Sequence, residues 1–172
     1  MNAVRLRTLQ EEDIEPMARL ANNRKIWKNL RDVFPYPYTK GSAERFVRIK
    51  QQEQLPFTFA ITDHGAFAGV IGLEPKTDIY RKGAEIGYWV GEPFWGRGIA
   101  TQAVQHLTEY ALKELCLIRL EAGVFSHNVA SRKVLEKCGF QQEGILRKAV
   151  FKDGDLVDEY RYGMVNEGSP DA

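Results

Sequence analysis

Apolar and polar positions change rhythm several times along the chain, and each rhythm predicts an element. Val4 to Leu9 alternates apolar with basic or polar side chains like an edge strand, and EEDIEPMARLAN then carries Ile14, Met17, Ala18 and Ala21 at helical spacing. A second short helix is predicted over Arg24 to Val33; the proline-rich FPYPYT breaks it, and GSAERFVRIKQQEQ resumes a helical pattern before Pro56. FTFAIT, AFAGVIGLE and AEIGYWV are short β-rich runs separated by DHG and KTDIYRKG, which predicts consecutive antiparallel strands. Ile99, Ala100, Ala103, Val104, Leu107, Ala111 and Leu115 then recur at intervals of three and four, the pattern of a long helix with one face buried on the sheet. LIRLEAGVF reads as a strand, and HNVASRKVLEKCGF as a helix that Asn128 caps and Gly139 closes. Finally, ILRKAVFKDGDLVDEYRYGMV places Asp153-Gly154 between two β-like arms, the signature of a type I′ hairpin. This order predicts an α+β fold around a mixed sheet.

Composition narrows the partners. The 172 residues carry 24 Lys plus Arg against 23 Asp plus Glu, so a net charge of +1 gives no general reason to expect nucleic acid or a membrane surface. The length suits one domain, read here as residues 1–166 with a polar tail at 167–172. Cys116 and Cys138 sit among apolar neighbours outside any CxxC or Cys/His cluster, and both are read as reduced core residues, with no metal site. The opening MNAVRLRTLQEED holds no apolar leader core, and no run reaches the roughly 18 apolar residues of a membrane span. The expectation is a cytoplasmic protein.

Candidate chemistry centres on FWGRGIAT, residues 94–101, where a Gly-x-Gly turn joins a strand to a helix start. Glycines free the backbone for a sharp turn, and the unpaired N–H groups and positive dipole end of the following helix suit an anion such as pyrophosphate. Neither alternative glycine loop fits: a dinucleotide fold wants GxGxxG where this chain has Thr101, and the lysine of a GxxxxGK loop is absent.

The run EIGYWVGEPFWGRGIATQAV, the later HNVASRKVLEKCGF and the terminal Asp-Gly hairpin together resemble the GNAT superfamily of acyl-CoA-dependent N-acetyltransferases, in particular its RimJ/RimL type. The likeness covers nearly the whole chain. It implies a mostly antiparallel sheet splayed at its centre around acetyl-CoA, the co-substrate. It further implies that Val90 offers backbone bonds to the pantetheine and that the amides of Gly96, Arg97, Gly98, Ile99, Ala100 and Thr101 cradle the pyrophosphate, with the Arg97 charge at the rim. Asn128 and Ser131 would lie near the thioester. Where the family pattern commonly begins the loop with Gln or Arg, this chain has Trp95. For Trp89 and Trp95, plain core packing is the competing reading.

An amine attacking a thioester must arrive neutral, its oxyanion needs a donor, and the departing thiolate needs a proton or a hydrogen bond. The Val90 N–H is the candidate oxyanion donor. Many relatives use a tyrosine for the thiolate, but the matching position is Leu135, so Ser131 is the nearest hydroxyl and the resemblance points to it. The base is open between Glu85 and His127, with a cross-strand charge the alternative for Glu85; the position of a glutamate in some relatives corresponds to Val150. The loop from Phe34 to Tyr38, with Trp27 before it, either walls an acceptor groove or fills the core with its rings. The resemblance implies an amine acceptor, a peptide N-terminus or an amino-acid-like small molecule, and leaves a homodimer open. The alternative is an acyl-CoA-binding sensor or interaction module without turnover.

Overall fold

The computed structural model describes residues 4–168. The last four residues of the predicted polar tail, 169–172, lie outside them. Seven strands form one sheet in the order β1-β2-β3-β4-β5-β7-β6. They are β1 (Val4–Thr8), β2 (Thr58–Asp63), β3 (Ala66–Pro75), β4 (Gly83–Val90), β5 (Arg119–Phe125), β6 (Gln141–Lys152) and β7 (Asp155–Val165). The helices are α1 (Ile14–Ala21), α2 (Arg24–Trp27), α3 (Lys40–Gln51), α4 (Ile99–Lys113) and α5 (Val129–Lys137). Element types and order agree with the hydrophobic pattern, including the α+β class and the mixed sheet.

The chain forms two compact units, one made of residues up to Gly72 with Tyr88–Ala103, the other of Leu73–Gly87 with Val104 onward. In the first, β1 pairs antiparallel with β2 and β2 with β3. The β2–β3 turn is His64-Gly65 at φ 49° and 86°, flanked by the Asp63↔Ala66 pair. A core of Leu9, Met17, Leu20, Val47, Phe67 and Val70 collects the apolar stripes of α1 and α3, with Phe34, Trp89 and Phe94 packed against it. Tyr38 is buried in this core, which pushes its phenol up to about 12. Arg7 grips the buried Asp13 with two 2.7 Å hydrogen bonds, tying β1 to the start of the α1 segment.

In the second unit, β5 pairs antiparallel with β7, and β7 with β6. β4 meets β5 in parallel at Gly83↔Arg119, Ala84↔Leu120 and Glu85↔Glu121, and both strands run on beyond this ladder, to Val90 and Phe125. The final hairpin turns at Asp153 (φ 54°) and Gly154 (φ 88°), the two left-handed residues a type I′ turn demands. Gly139, at φ 90°, closes α5 as expected.

Three expectations need correction. The second helix spans only Arg24–Trp27, because from Lys28 onward the chain tightens into turns such as Asn29 N–H to Ile26 and Leu30 N–H to Trp27. The long helix stops at Lys113, before Leu115. Cys116 is not a core residue: it takes a left-handed φ of 50° at the reversal after α4 and is exposed, while Cys138 is half-buried. Neither forms a disulfide among the described residues. Periodicity detected the apolar neighbours of Cys116 but not the chain reversal that turns its side chain outward.

Candidate functional site

The predicted residues fall into two groups, one in each unit. In the first unit, Val90 ends β4, a short 3-10 turn follows at Glu92–Phe94, and the loop Trp95–Gly98 leads directly into α4. Gly96 and Gly98 adopt φ of 73° and 74°, a region that side chains with a Cβ seldom enter. A Cβ added at Gly96 would meet nothing within 4 Å, and one at Gly98 only Gln102 Nε2 at 4.0 Å. The glycines are therefore required by backbone conformation, and the space beside them is open. Ile99 is buried and anchors the helix start, whereas Gly96, Arg97 and Gly98 are exposed. As at any helix start, the amides of the first turn have no acceptor four residues back, so the turn concentrates donors and positive dipole.

Several interactions hold this loop. The Gly91 N–H donates to Ala68 on β3 at 2.8 Å. The Trp95 indole N–H donates to the Val90 carbonyl at 2.6 Å. Asn23 Nδ2 donates to Glu92 at 2.7 Å, and Lys25 pairs with the same carboxylate. Hydrogen bonds from Lys25 and Asn23 hold the Glu92 carboxyl below its ordinary range. Finally, Arg97 Nη2 lies 2.6 Å from Asp63 Oδ2.

Some of these roles were hidden in the sequence. Trp95, for which core packing was one reading, is 44% exposed and acts as a backbone tie; Trp89 does pack, edge-on to Phe34 and Phe67. Asp63 appeared only as the first residue of the DHG turn signal. The loop from Phe34 to Tyr38 divides: Phe34 and Tyr38 stack at 4.8 Å in the core, while Tyr36 is exposed beside Trp27 at 5.6 Å.

In the second unit, Asn128 caps α5, its side chain accepting the Ser131 N–H at 3.2 Å. This brings Asn128 and Ser131 together in the helix's first turn, with Ser131 partly accessible. Leu135 is fully buried, so this position serves packing. Val150 lies on β6 opposite Val157 of β7, and His127 is exposed in the loop before Asn128, its ring 6.1 Å from Phe125. Glu85 is opposite Glu121 in the parallel ladder and receives a 3.4 Å contact from Arg161.

That guanidinium also reaches Glu121 at 3.4 Å and Glu159 at 3.6 Å, while Lys76 and Arg119 pair with Glu121. Burial raises the Glu121 carboxyl, but the Lys76 and Arg119 hydrogen bonds outweigh it and leave it below its ordinary range. Glu85 thus touches a cross-strand charge network through Arg161. Tyr162, the buried phenol of this unit, donates to Glu136 at 2.8 Å; desolvation, with that bond, pushes it up to about 12. No helix among the described residues is long and apolar enough to cross a membrane.

Comparison with known proteins agrees with this architecture. The family model described as Acetyltransferase (GNAT) domain matches residues 3–141. The protein named Probable N-acetyltransferase YjcK, from Bacillus subtilis (strain 168), is 35% identical over 119 residues, which span 69% of this chain and 66% of that relative. Spermidine N(1)-acetyltransferase from Escherichia coli (strain K12) is 28% identical over 166 residues, covering 93% of this chain and 84% of its own. Among solved structures, Mycobacterium smegmatis RimJ in complex with CoA-disulfide superposes with a TM-score of 0.85 at 26% identity, over 98% of this chain and 85% of that one. The seven-stranded mixed sheet with flanking helices is the fold of this family, and the chain belongs to the GNAT acetyltransferases.

Proposed function

We propose that this protein transfers an acetyl group from acetyl-CoA to a primary amine, preferentially the α-amino group of a peptide N-terminus or an amino-acid-like small molecule, with residues 1–166 acting as one catalytic domain. The observation that carries the reading is the left-handed pair Gly96 and Gly98 opening directly onto the start of α4 with unfilled space beside them. Family membership, and a structural neighbour solved in complex with CoA-disulfide, support acetyl-CoA as the co-substrate.

In this scheme the amides of Gly96 through Thr101 bind the pyrophosphate, and Val90 presents backbone groups to the pantetheine. The amine lone pair attacks the thioester carbonyl carbon, forming the C–N bond. The Val90 N–H donates to the oxyanion, and the proton lost by the amine passes to Glu85 through water. Collapse of the tetrahedral intermediate breaks the C–S bond, and Ser131, set by the Asn128 cap, donates to the departing thiolate.

Preference for an α-amine rests on proton affinity. With ordinary values of about 7.7–8.0 for an α-amine and about 10.4 for lysine, neutralising a lysine near pH 7.5 costs roughly 3–4 kcal/mol more. The spermidine acetyltransferase relative favours a second acceptor, a polyamine.

Thiol release with acetyl-CoA should be compared across a lysine-free peptide with an open N-terminus, an N-blocked peptide with one lysine, and spermidine. The expected ranking by kcat/KM at pH 7.5 puts the open N-terminus first. Faster acetylation of the blocked peptide overturns the α-amine preference, and spermidine alone being acetylated transfers the assignment to polyamines. Acetyl-CoA binding without thiol release on any amine supports the non-catalytic sensor instead. Gly98→Val should abolish the thermal stabilisation by acetyl-CoA, which is about 2.7 kcal/mol at a hundred times Kd. An unchanged response removes the loop from the site.

A further inference from the structure

We infer that Asp63 is a positioning residue for acyl-CoA binding, and that Arg97 serves as a strut of the glycine loop in place of a side-chain ligand for phosphate. The inference rests on the proposed reading of the loop as the pyrophosphate seat.

Arg97 stands between two glycines in left-handed conformations, so the backbone on both sides is unusually free to reorient. Its side chain removes that freedom. Nη2 lies 2.6 Å from Asp63 Oδ2, and the guanidinium sits over the Phe94 ring, 5.7 Å from its centroid. The anchor itself is rigid. Asp63 pairs with Val4 on one side and Ala66 on the other, immediately before the tight His64-Gly65 turn, and its side chain is 7% exposed. His64 Nε2 lies 3.9 Å from the other carboxylate oxygen.

The charge balance opposes a phosphate role for Arg97. A guanidinium in contact with a carboxylate is locally neutralised, and moving it to a phosphate would leave Asp63 buried without that partner, a costly state. Holding the loop is the cheaper contribution. Ordering a two-glycine segment before the ligand arrives lowers the entropy lost on binding, and so tightens binding without any contact to the ligand. On this account phosphate recognition comes from backbone N–H groups, and Asp63, which touches no phosphate, sets their alignment.

The two roles make opposite predictions for Asp63. For the full chain, acetyl-CoA Kd should be measured by calorimetry in the parent, Asp63→Asn, Arg97→Gln and the double variant. The strut predicts that each single change raises Kd by about tenfold, and that the double variant is no worse than either, because both remove one interaction. KM for acetyl-CoA should follow Kd while kcat at saturation holds, and Arg97→Lys should recover part of the affinity. Hydrogen exchange of residues 94–101 in the unliganded protein should quicken in both single variants.

If Arg97 binds phosphate directly, Asp63→Asn frees it and Kd stays constant or falls while Arg97→Gln raises it; that outcome overturns the inference. A lowered Tm with unchanged Kd in both singles also overturns it, since the pair would then serve only folding. Should Asp63→Asn fail to fold, Asp63→Ser and the exposed-side Arg97→Gln carry the same comparison. Gly98→Val separates the two levels. If that variant still binds acetyl-CoA like the parent, the loop reading itself fails. If it loses binding while Asp63→Asn and Arg97→Gln leave Kd unchanged, only the strut fails.

Discussion

Replacing Gly69 by alanine drives a methyl group of β3 against the backbone of β4 at Trp89 and Val90. The new Cβ would lie 2.9 Å from Val90 Cα and 3.1 Å from the Trp89 carbonyl carbon, and closer still to the Trp89 carbonyl oxygen. Real Cβ atoms do not tolerate such distances, and every atom struck is backbone, so no side-chain rotation relieves the clash. The strands must separate locally. Overpacking of this kind costs about 1–3 kcal/mol, and the rigidity of the opposing backbone places Gly69→Ala in the upper part, about 2–3 kcal/mol. For a chain of this size each kcal/mol moves Tm by about 2–4 °C, so a drop of about 4–12 °C is expected.

Gly87→Ala, in β4 itself, is the matched control, because a Cβ there has no atom within 4 Å. Its Tm should remain within about 2 °C of the parent. Differential scanning fluorimetry of the three unliganded proteins makes the measurement. A Gly69→Ala shift below about 1 °C, or an equal shift in both variants, would refute the close-approach argument. On the proposed reading of Val90, Gly69→Ala also weakens acetyl-CoA binding, since the displaced backbone is the one offered to the pantetheine.

The remaining predictions address chemistry and acid stability. Ser131→Ala should lower kcat by about a hundredfold with little change in acetyl-CoA affinity, as expected for loss of a transition-state donor; a kcat within about threefold of the parent removes Ser131 from the mechanism. Glu121 should contribute acid sensitivity. Its folded carboxyl is held below the ordinary value of about 4.3, so its stabilising effect is fully present above that pH and is lost as pH falls through the lower folded value. Urea unfolding at pH 7 and pH 3 should show a smaller acid loss for Glu121→Gln than for the parent; equal losses would contradict the assignment.

Much of the fold was legible because local patterns and tertiary structure agree. The strand alternation at Val4, the amphipathic stripe of α4, the Asn128 cap and the Asp153-Gly154 turn are each specified by a few neighbouring residues, and all appear in the structure. The helix predicted through Val33 ends at Trp27 in the structure, because helical periodicity cannot distinguish a continuing helix from a tightening series of turns. Cys116 failed for a related reason, since one left-handed residue redirects a side chain without altering the composition around it.

What the sequence determined by itself was the family, the order of elements and the placement of a glycine loop at a helix start, because these depend on contiguous residues with strong conformational preferences. Only the tertiary structure decided what holds that loop. Asp63 and Arg97 are 34 residues apart and meet because the β2–β3 turn and the glycine loop come together in space. It likewise decided that Glu85 shares Arg161 with carboxylates from two other strands, since cross-strand register, and not neighbouring sequence, chooses which charges face one another.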